Sequence, residues 1–181
     1  MSPRVVHWLV CGVLLCSTAL AWASDVQLQL KAVFLGRFAS YVQWMQEDDR
    51  ATFEIAVLGS NPFGSQLHTL YTDKRIQGKP VHIRVARDLS ELQQLEMPPD
   101  MLFVALPTVA ARQAAIAYAR IHGILTVSDA KGFAEQGGII QMNFVEQNVQ
   151  IKINYDAAVQ SGLQIAAPLL SIATVLRGNQ P

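Results

Sequence analysis

The amino-acid sequence predicts a single α/β domain, in which helices flank a mixed β-sheet. Two patterns indicate this class. In residues 53–128, short apolar runs alternate with stretches of helical periodicity, and in residues 139–155 two neighbouring runs alternate between apolar and polar residues. Strands separated by helices favour parallel pairing through right-handed crossovers, whereas adjoining alternating runs favour an antiparallel hairpin. We therefore expect four mainly parallel strands and a C-terminal antiparallel hairpin.

A signal peptide is predicted at residues 1–23. Arg4 precedes an apolar run that ends in the small-residue motif Ala21-Trp22-Ala23, which is the pattern of a cleavable export signal. The apolar run is short and lightly flanked for a membrane anchor. We expect cleavage before Ser24 and export of one domain, residues 24–181, to the periplasm.

Charge and cysteine content exclude several classes of function for this domain. Arg4 is the only charged residue removed, so the 14 basic residues fall to 13 against 14 acidic ones. This near-neutral balance gives no electrostatic reason to bind nucleic acid. Cys11 and Cys16 both lie in the signal peptide, and Leu15 stands where lipidation of Cys16 would need a small residue. Thiol catalysis, thiolate metal sites and disulfides are therefore excluded.

The first predicted element is an amphipathic helix from Leu28 to Met45. Ala32, Gly36 and Ser40 are four residues apart, which lets another group approach the helix closely. A crowded site inside the domain is the favoured interpretation, and a contact between subunits of a homodimer is the alternative. Arg37 projects within the apolar arc, where a charge needs a partner or must reach water. The apolar arc comprises Leu30, Val33, Phe34, Phe38, Tyr41, Val42 and Met45.

Strands and helices then alternate along the chain. Asn61 is expected to cap the first of these helices, with Pro62 at its first position. Asp88 and Thr108 precede the next two helical stretches. The predicted strands are Phe53–Gly59, Lys79–Ala86, Asp100–Leu106 and Ile124–Ser128.

The C-terminal region reads as a hairpin followed by two helices. The alternating runs Ile139–Val145 and Val149–Tyr155 have one apolar and one polar face, as expected of a hairpin packed on a core. Asp156 is expected to cap a short helix that ends at Gly162, and Pro168 to open a last apolar helix.

No catalytic constellation or metal site stands out. Ser128 to Lys131 spells S-x-x-K, but Gly132 follows at once and argues against the helix that this motif requires. The histidines of the domain, His68, His82 and His122, lie at none of the spacings of a metal pair. The sequence therefore predicts a protein that is not an enzyme and has no cofactor.

Residues Gly59–Gly64 are a candidate ligand crevice. They follow a predicted strand and precede a helix, the position at which open parallel sheets bind ligands. Ser60 and Asn61 are the candidate binding residues for a small anion. A tight strand-to-helix turn is the favoured alternative, because the residues of a phosphate-binding loop are absent.

Ser128–Gly138 is a second candidate site, rich in glycine. Gly132, Gly137 and Gly138 are expected to adopt positive φ and to reverse the chain. Phe133 between them is either a core residue or an exposed anchor for a partner. The core is favoured, because isolated aromatic side chains usually pack inward.

Four segments together resemble the YfiR/HmsC-like family of periplasmic proteins. The helix segment "LKAVFLGRFASYVQW" carries Tyr41, Val42 and Trp44, and "ILTVSDAKGFAEQGGII" carries the glycine loop. The segments "FEIAVLGSNPFG" and "NFVEQNVQIKINYDAAVQSGLQIAAPLLSIA" complete the match. Their order and spacing extend over nearly the whole predicted domain.

The resemblance implies regulation rather than catalysis. Such proteins bind the periplasmic domain of an inner-membrane diguanylate cyclase and repress it, which lowers cyclic-di-GMP and biofilm formation. An outer-membrane lipoprotein is a second implied partner. Family members often carry disulfides, and this chain departs from them in having no cysteine after residue 23. The candidate partner-binding residues are Ser128, Asp129, Phe133, Gly137, Gly138 and Arg37, and a periplasmic small-ligand binding protein is the alternative function.

Overall fold

The computed structural model describes residues 26–45, 50–145 and 148–178. The predicted signal peptide, residues 1–23, lies outside these ranges. Helices are α1 (26–40), α2 (Gln66–Tyr71), α3 (Leu89–Gln93), α4 (Val109–Ile121), α5 (Tyr155–Gln160) and α6 (Ala167–Ser171). Strands are β1 (Val42–Trp44), β2 (Phe53–Gly59), β3 (Arg75–Ile76), β4 (Lys79–Ala86), β5 (Met101–Ala105), β6 (Leu125–Ser128), β7 (Ile140–Val145), β8 (Asn148–Asn154), β9 (Leu163–Ile165) and β10 (Thr174–Leu176).

The main sheet of the described residues has eight strands in the order β10-β8-β7-β6-β5-β2-β4-β3. Strands β4, β2, β5, β6 and β7 are parallel neighbours, and β7 and β8 form an antiparallel hairpin. The predicted mixed α/β class, with four parallel strands and a C-terminal hairpin, is therefore confirmed. In the described part of the chain, no helix has both the length and the hydropathy of a membrane span.

Alternate residues of the central strands enter two separate cores. Ile55 and Val57 of β2 face a cluster that includes side chains of α1, α2, α5 and α6. Ala56 and Leu58 face the other cluster, with side chains of α3 and α4. Because successive strand residues point to opposite faces, helices cover both faces of the sheet, and the central strands read as continuous apolar runs.

The first helix is shorter than the sequence predicts. It ends at residue 40, and Val42–Trp44 forms β1, which pairs antiparallel with β9. The Gln77 side chain donates to the Ala39 and Val42 carbonyls and binds this end of the helix. Pairing with distant residues thus overrides the helical periodicity that extends to Met45.

The small-residue stripe of α1 receives the side chain of Tyr71 from α2. The Tyr71 hydroxyl donates to the Ala32 carbonyl at 2.7 Å and accepts from the Gly36 amide at 2.7 Å. A Cβ atom on Gly36 would lie 2.5 Å from this hydroxyl oxygen. The favoured prediction, a crowded site inside the domain, is confirmed.

The C-terminal region differs from the prediction at two points. The cap of α5 is Asn154, whose side chain accepts from the Ala157 amide, and not Asp156. Pro168 does lie in the first turn of α6, but this helix ends at Ser171. The chain then forms β10, parallel to β8, because ladder pairing is available to the β-branched residues that follow.

Candidate functional site

The carboxyl ends of β2 and β5 lie side by side. This is the point in the sheet at which the chain stops adding strands on one side and begins to add them on the other. From β2 the chain crosses to β4 on one side, and afterwards to β5 and β6 on the other. Gly59 has a φ of 101°, and a Cβ there would lie 2.5 Å from the Ala105 carbonyl oxygen. The Ser60 hydroxyl donates to the same carbonyl. The two loops therefore approach each other closely at the predicted crevice.

Asn61 stabilises a turn and not a helix start. Its side-chain oxygen accepts from the Phe63 amide, and its side-chain nitrogen donates to the Gly64 carbonyl. Helix α2 begins at Gln66, so the predicted cap at Asn61 is wrong. The Asn61 amide satisfies this tight turn locally. Ligand binding by Ser60 and Asn61 stays a prediction.

The three glycines of the second candidate site have two different roles. Gly132 and Gly137 have φ values of 77° and 100°, as predicted for chain reversal. Gly138 has an ordinary φ, and the prediction of positive φ there is wrong. A Cβ on Gly138 would lie 2.1 Å from the Phe133 ring. Gly138 therefore provides the space in which Phe133 packs.

Phe133 is a core residue. Its side chain is fully buried in the cluster of α3 and α4, which is the interpretation that the sequence favours. Ser128 is also buried, and its hydroxyl donates to the Val104 carbonyl and accepts from the Ala130 amide. Asp129 is partly exposed and forms an ion pair with Lys31 of α1 at 2.6 Å. Of these three residues, Asp129 is the one with a surface that a partner can reach.

A buried arginine attaches the glycine loop to helix α4. The Arg112 guanidinium donates to the Gln136 side chain and to the carbonyls of Leu106 and Pro107. It therefore connects the loop after β6 to the loop after β5. The loop is thus bound to the scaffold through both Arg112 and Phe133.

A cleft that the sequence did not indicate lies at the opposite, amino edge of the sheet. Its volume is about 380 Å³. Arg50 pairs with Asp100 on one wall, and the second Asp100 oxygen accepts from the Glu54 amide at 2.7 Å. Asp100 immediately precedes β5. The opposite wall is formed by residues at the C-terminal ends of α4 and α5. The lining residues are Trp44, Arg50, Pro99, Asp100, Arg120, Ile121, His122, Gly123, Gln160, Ser161 and Gly162.

Exposed apolar side chains occur in the segments that form or adjoin this cleft. Ile121 lines it and is 81% exposed. Met45, which is 74% exposed, donates its amide to the Gly162 carbonyl, and Val159 is 55% exposed on α5. We call Met45, Ile121 and Val159 the apolar rim. Exposed apolar side chains are candidates for an interaction surface. Met45 does give a periodic signal, but that signal assigns it to the apolar arc of the predicted first helix and not to an exposed site.

The Trp44 indole contributes a further unusual feature to the cleft. Its Nε1 atom is buried and has no hydrogen-bond acceptor among the described residues. A buried donor without an acceptor is energetically unfavourable. Trp44 belongs to the motif Tyr41-Val42-x-Trp44 that carries the family resemblance.

Arg37 and His82 do not line this cleft, whereas His122 does. Arg37 is exposed on α1. A cation within an apolar arc must reach water in this way if it has no ion-pair partner. His82 contacts Glu54 at 3.1 Å, and His122 contacts the Tyr118 carbonyl. Among the described residues, no group of three histidine, cysteine or acidic side chains could hold a metal ion.

Comparison with known structures supports the fold. A crystal structure of a conserved domain protein from Vibrio cholerae O1 biovar El Tor superposes with a TM-score of 0.56 at 16% identity. The alignment covers 83% of this chain and 60% of the Vibrio chain, so this protein corresponds to only part of that longer one. No curated protein sequence matches.

A family model matches most of the described domain. The model is that of YfiR/HmsC-like proteins, and the match spans residues 28–174. It therefore includes the α1 stripe, the glycine loop, the hairpin and the amino-edge cleft. Together with the fold, this match establishes that the chain belongs to the YfiR/HmsC-like family of signalling regulators.

Proposed function

We propose that this protein is a periplasmic regulator that binds the periplasmic domain of an inner-membrane diguanylate cyclase and represses it. The family match over residues 28–174 carries this proposal. Repression by contact lowers cyclic-di-GMP and hence biofilm formation. An outer-membrane lipoprotein that captures the regulator is the second proposed partner.

The apolar rim of Met45, Ile121 and Val159 is the proposed contact surface for the cyclase. Anchors of this kind lose their exposed apolar area on binding and carry most of the affinity of an interface. Asp129 and Arg37 also reach the surface, but neither lines the amino-edge cleft, so we propose them as polar contacts on a separate part of the surface. Phe133, Ser128 and Gly138 are buried, so we propose only a supporting role for them.

Replacement of Ile121 by aspartate tests the surface. Since the Ile121 side chain is 81% exposed, the change should leave the unfolding midpoint nearly unaltered. If Ile121 is an anchor, affinity for the purified periplasmic domain of the cyclase should fall by 2 kcal/mol or more, about thirtyfold. Calorimetric titration measures the affinity, and cellular cyclic-di-GMP should rise in parallel.

Ile172→Asp is the matched control, because Ile172, the residue that follows α6, is 67% exposed and does not line the cleft. It should bind the cyclase domain as the unaltered protein does. Equal loss of affinity in both variants would remove the apolar rim from the proposal. Failure of the unaltered protein to bind any periplasmic cyclase domain would overturn the proposed function itself.

A small-ligand function is the second candidate, favoured by the amino-edge cleft, which is lined by Trp44 and by the Arg50–Asp100 pair. A polar ligand in the cleft would meet the Arg50–Asp100 pair and the Trp44 side chain. Incubation with periplasmic small-molecule extract, followed by mass spectrometry of what is retained, tests this function. Retention that is lost in Trp44→Phe would support it, and no retained compound would refute it.

A further inference from the structure

The outer edge of strand β4 is largely open. Strand β3 pairs with Lys79 and Pro80 alone, through Ile76 and Arg75. On its other side β4 pairs with β2 from Val81 to Ala86. Within residues 26–45, 50–145 and 148–178, no other strand lies beside β4. Backbone groups along Val81–Val85 that point away from β2 are therefore available to a further strand.

The two faces of this edge differ in chemistry. His82 and Arg84 point to one face, and each has a side chain that is more than half exposed. Val81, Ile83 and Val85 point to the other face, and all three are at least partly exposed. A strand that pairs here and complements both faces must alternate acidic and apolar residues.

The sign of the charge along this edge is positive. Five of the 14 basic residues of the chain lie between positions 74 and 87, where there is no acidic residue. Glu54 accepts from both Arg84 and His82, but its side chain is only 13% exposed, so Arg84 and His82 are the more exposed members of this cluster. Arg87 is likewise more exposed than its partner Glu91. Asp73 and Asp88 flank the basic segment, and Asp88 accepts from the Glu91 amide.

The same charges disfavour pairing with a second copy of this chain. Two β4 strands that pair antiparallel about Ile83 would bring the basic segment of one copy, residues 74–87, against that of the other. Like charges at facing positions destabilise a strand pair, and cations on an edge are a common protection against self-association. A partner of opposite charge removes this penalty.

We infer that the open edge of β4 binds an extended acidic segment of a partner protein, which adds to the sheet as a further strand. Backbone hydrogen bonds would provide affinity, and the alternating side chains would provide specificity. This inference concerns a surface separate from the apolar rim and does not rest on the identity of the cyclase.

A synthetic peptide that alternates glutamate and valine is the probe. Titrated into the chain that begins at Ser24, it should slow hydrogen exchange of alternate amides in Val81–Val85 and shift their NMR signals. The matched peptide with lysine in place of glutamate should do neither. A third peptide, methylated on alternate backbone nitrogens, keeps the charge but cannot form the ladder, so it should also fail to protect these amides.

Arg84→Gln supplies the test on the protein side. Loss of one exposed cation should weaken peptide binding about two- to fivefold. Lys131→Gln, which removes an exposed cation from the glycine loop, should leave the affinity unchanged. Equal binding of the methylated peptide would overturn strand addition, as would absence of protection in β4. Dimers of the unaltered protein that protect β4 would overturn the choice of an acidic partner.

Discussion

The hydroxyl of Tyr71 bridges two backbone groups of one helix. It accepts from the Gly36 amide and donates to the Ala32 carbonyl, a pair that hydrogen-bonds directly in a regular α-helix. Gly36→Ala should therefore destabilise the protein by about 1–3 kcal/mol, although alanine is the better helix former. Urea denaturation measures the change.

A double-mutant cycle identifies the cause. In a Tyr71→Phe background the hydroxyl is absent, so the cost of Gly36→Ala should fall. Additive costs of the two changes would show that the hydroxyl and the new methyl group do not interact.

The ionisation of Tyr71 gives a prediction in the alkaline range. Burial raises the pKa of its phenol from 10.0 to about 12, and the hydrogen bond from the Gly36 amide opposes part of this rise. The folded state thus holds the proton more tightly than the unfolded state. The associated stabilisation is complete below pH 10 and is lost as the pH rises towards 12.

Ionisation of Tyr71 should lower the free energy of unfolding by about 2 kcal/mol between pH 10 and pH 12. Because lysines titrate in the same range, the measurement is the difference between the unaltered protein and Tyr71→Phe in denaturant titrations at several pH values. The difference in unfolding free energy between the two proteins should decrease as the pH rises. Parallel stability profiles would contradict the prediction.

At the scale of elements, the glycine loop allows a comparison of two glycines. In Gly138→Ala the new Cβ would meet the buried Phe133 ring at 2.1 Å, so overpacking should cost about 1–3 kcal/mol or more. In Gly132→Ala the nearest atom is 3.4 Å away, and the cost should be the 1–2 kcal/mol or so of a left-handed residue.

Thermal and urea unfolding measure both costs, and Phe133→Leu separates the mechanisms. The smaller side chain should reduce the cost of Gly138→Ala and leave that of Gly132→Ala unchanged. The opposite pattern would refute the assigned roles. Phe133→Ala alone should cost about 3–5 kcal/mol, so its effect on partner capture should follow the folded fraction.

Local sequence patterns predict which helices and strands exist better than they predict where those elements end. Continuous apolar runs located β2, β5 and β6 because helices cover both of their faces. The end of α1 was misplaced, because its apolar periodicity continues into residues that pair with β9. The last helix was too long for the same reason, since Thr174–Leu176 pairs with β8. Such pairings join residues far apart in sequence and leave no periodic signal.

At the scale of the whole molecule, the family could be predicted from the sequence, whereas the amino-edge cleft could not. The glycine loop is contiguous in sequence, so its motif could be recognised there. The amino-edge cleft combines Trp44, Asp100, Ile121 and Gly162 from four separate segments. Only the strand order brings them together, because the loops before β5 and β6 meet at one edge of the sheet.

The last prediction concerns stability after export. The chain from Ser24 onward contains no cysteine, so its stability should come from the two cores on either side of the sheet. A domain of this size can bury enough apolar surface to fold without disulfides. Reducing agent should therefore leave the unfolding midpoint of the secreted protein unchanged.

The N-terminus of the secreted protein, read by mass spectrometry, should be Ser24. A protein that retains Cys11 and Cys16 is the informative contrast, because it alone could respond to the reductant. A midpoint that shifts with reductant in protein shown to begin at Ser24 would contradict the prediction, since no thiol remains to account for it.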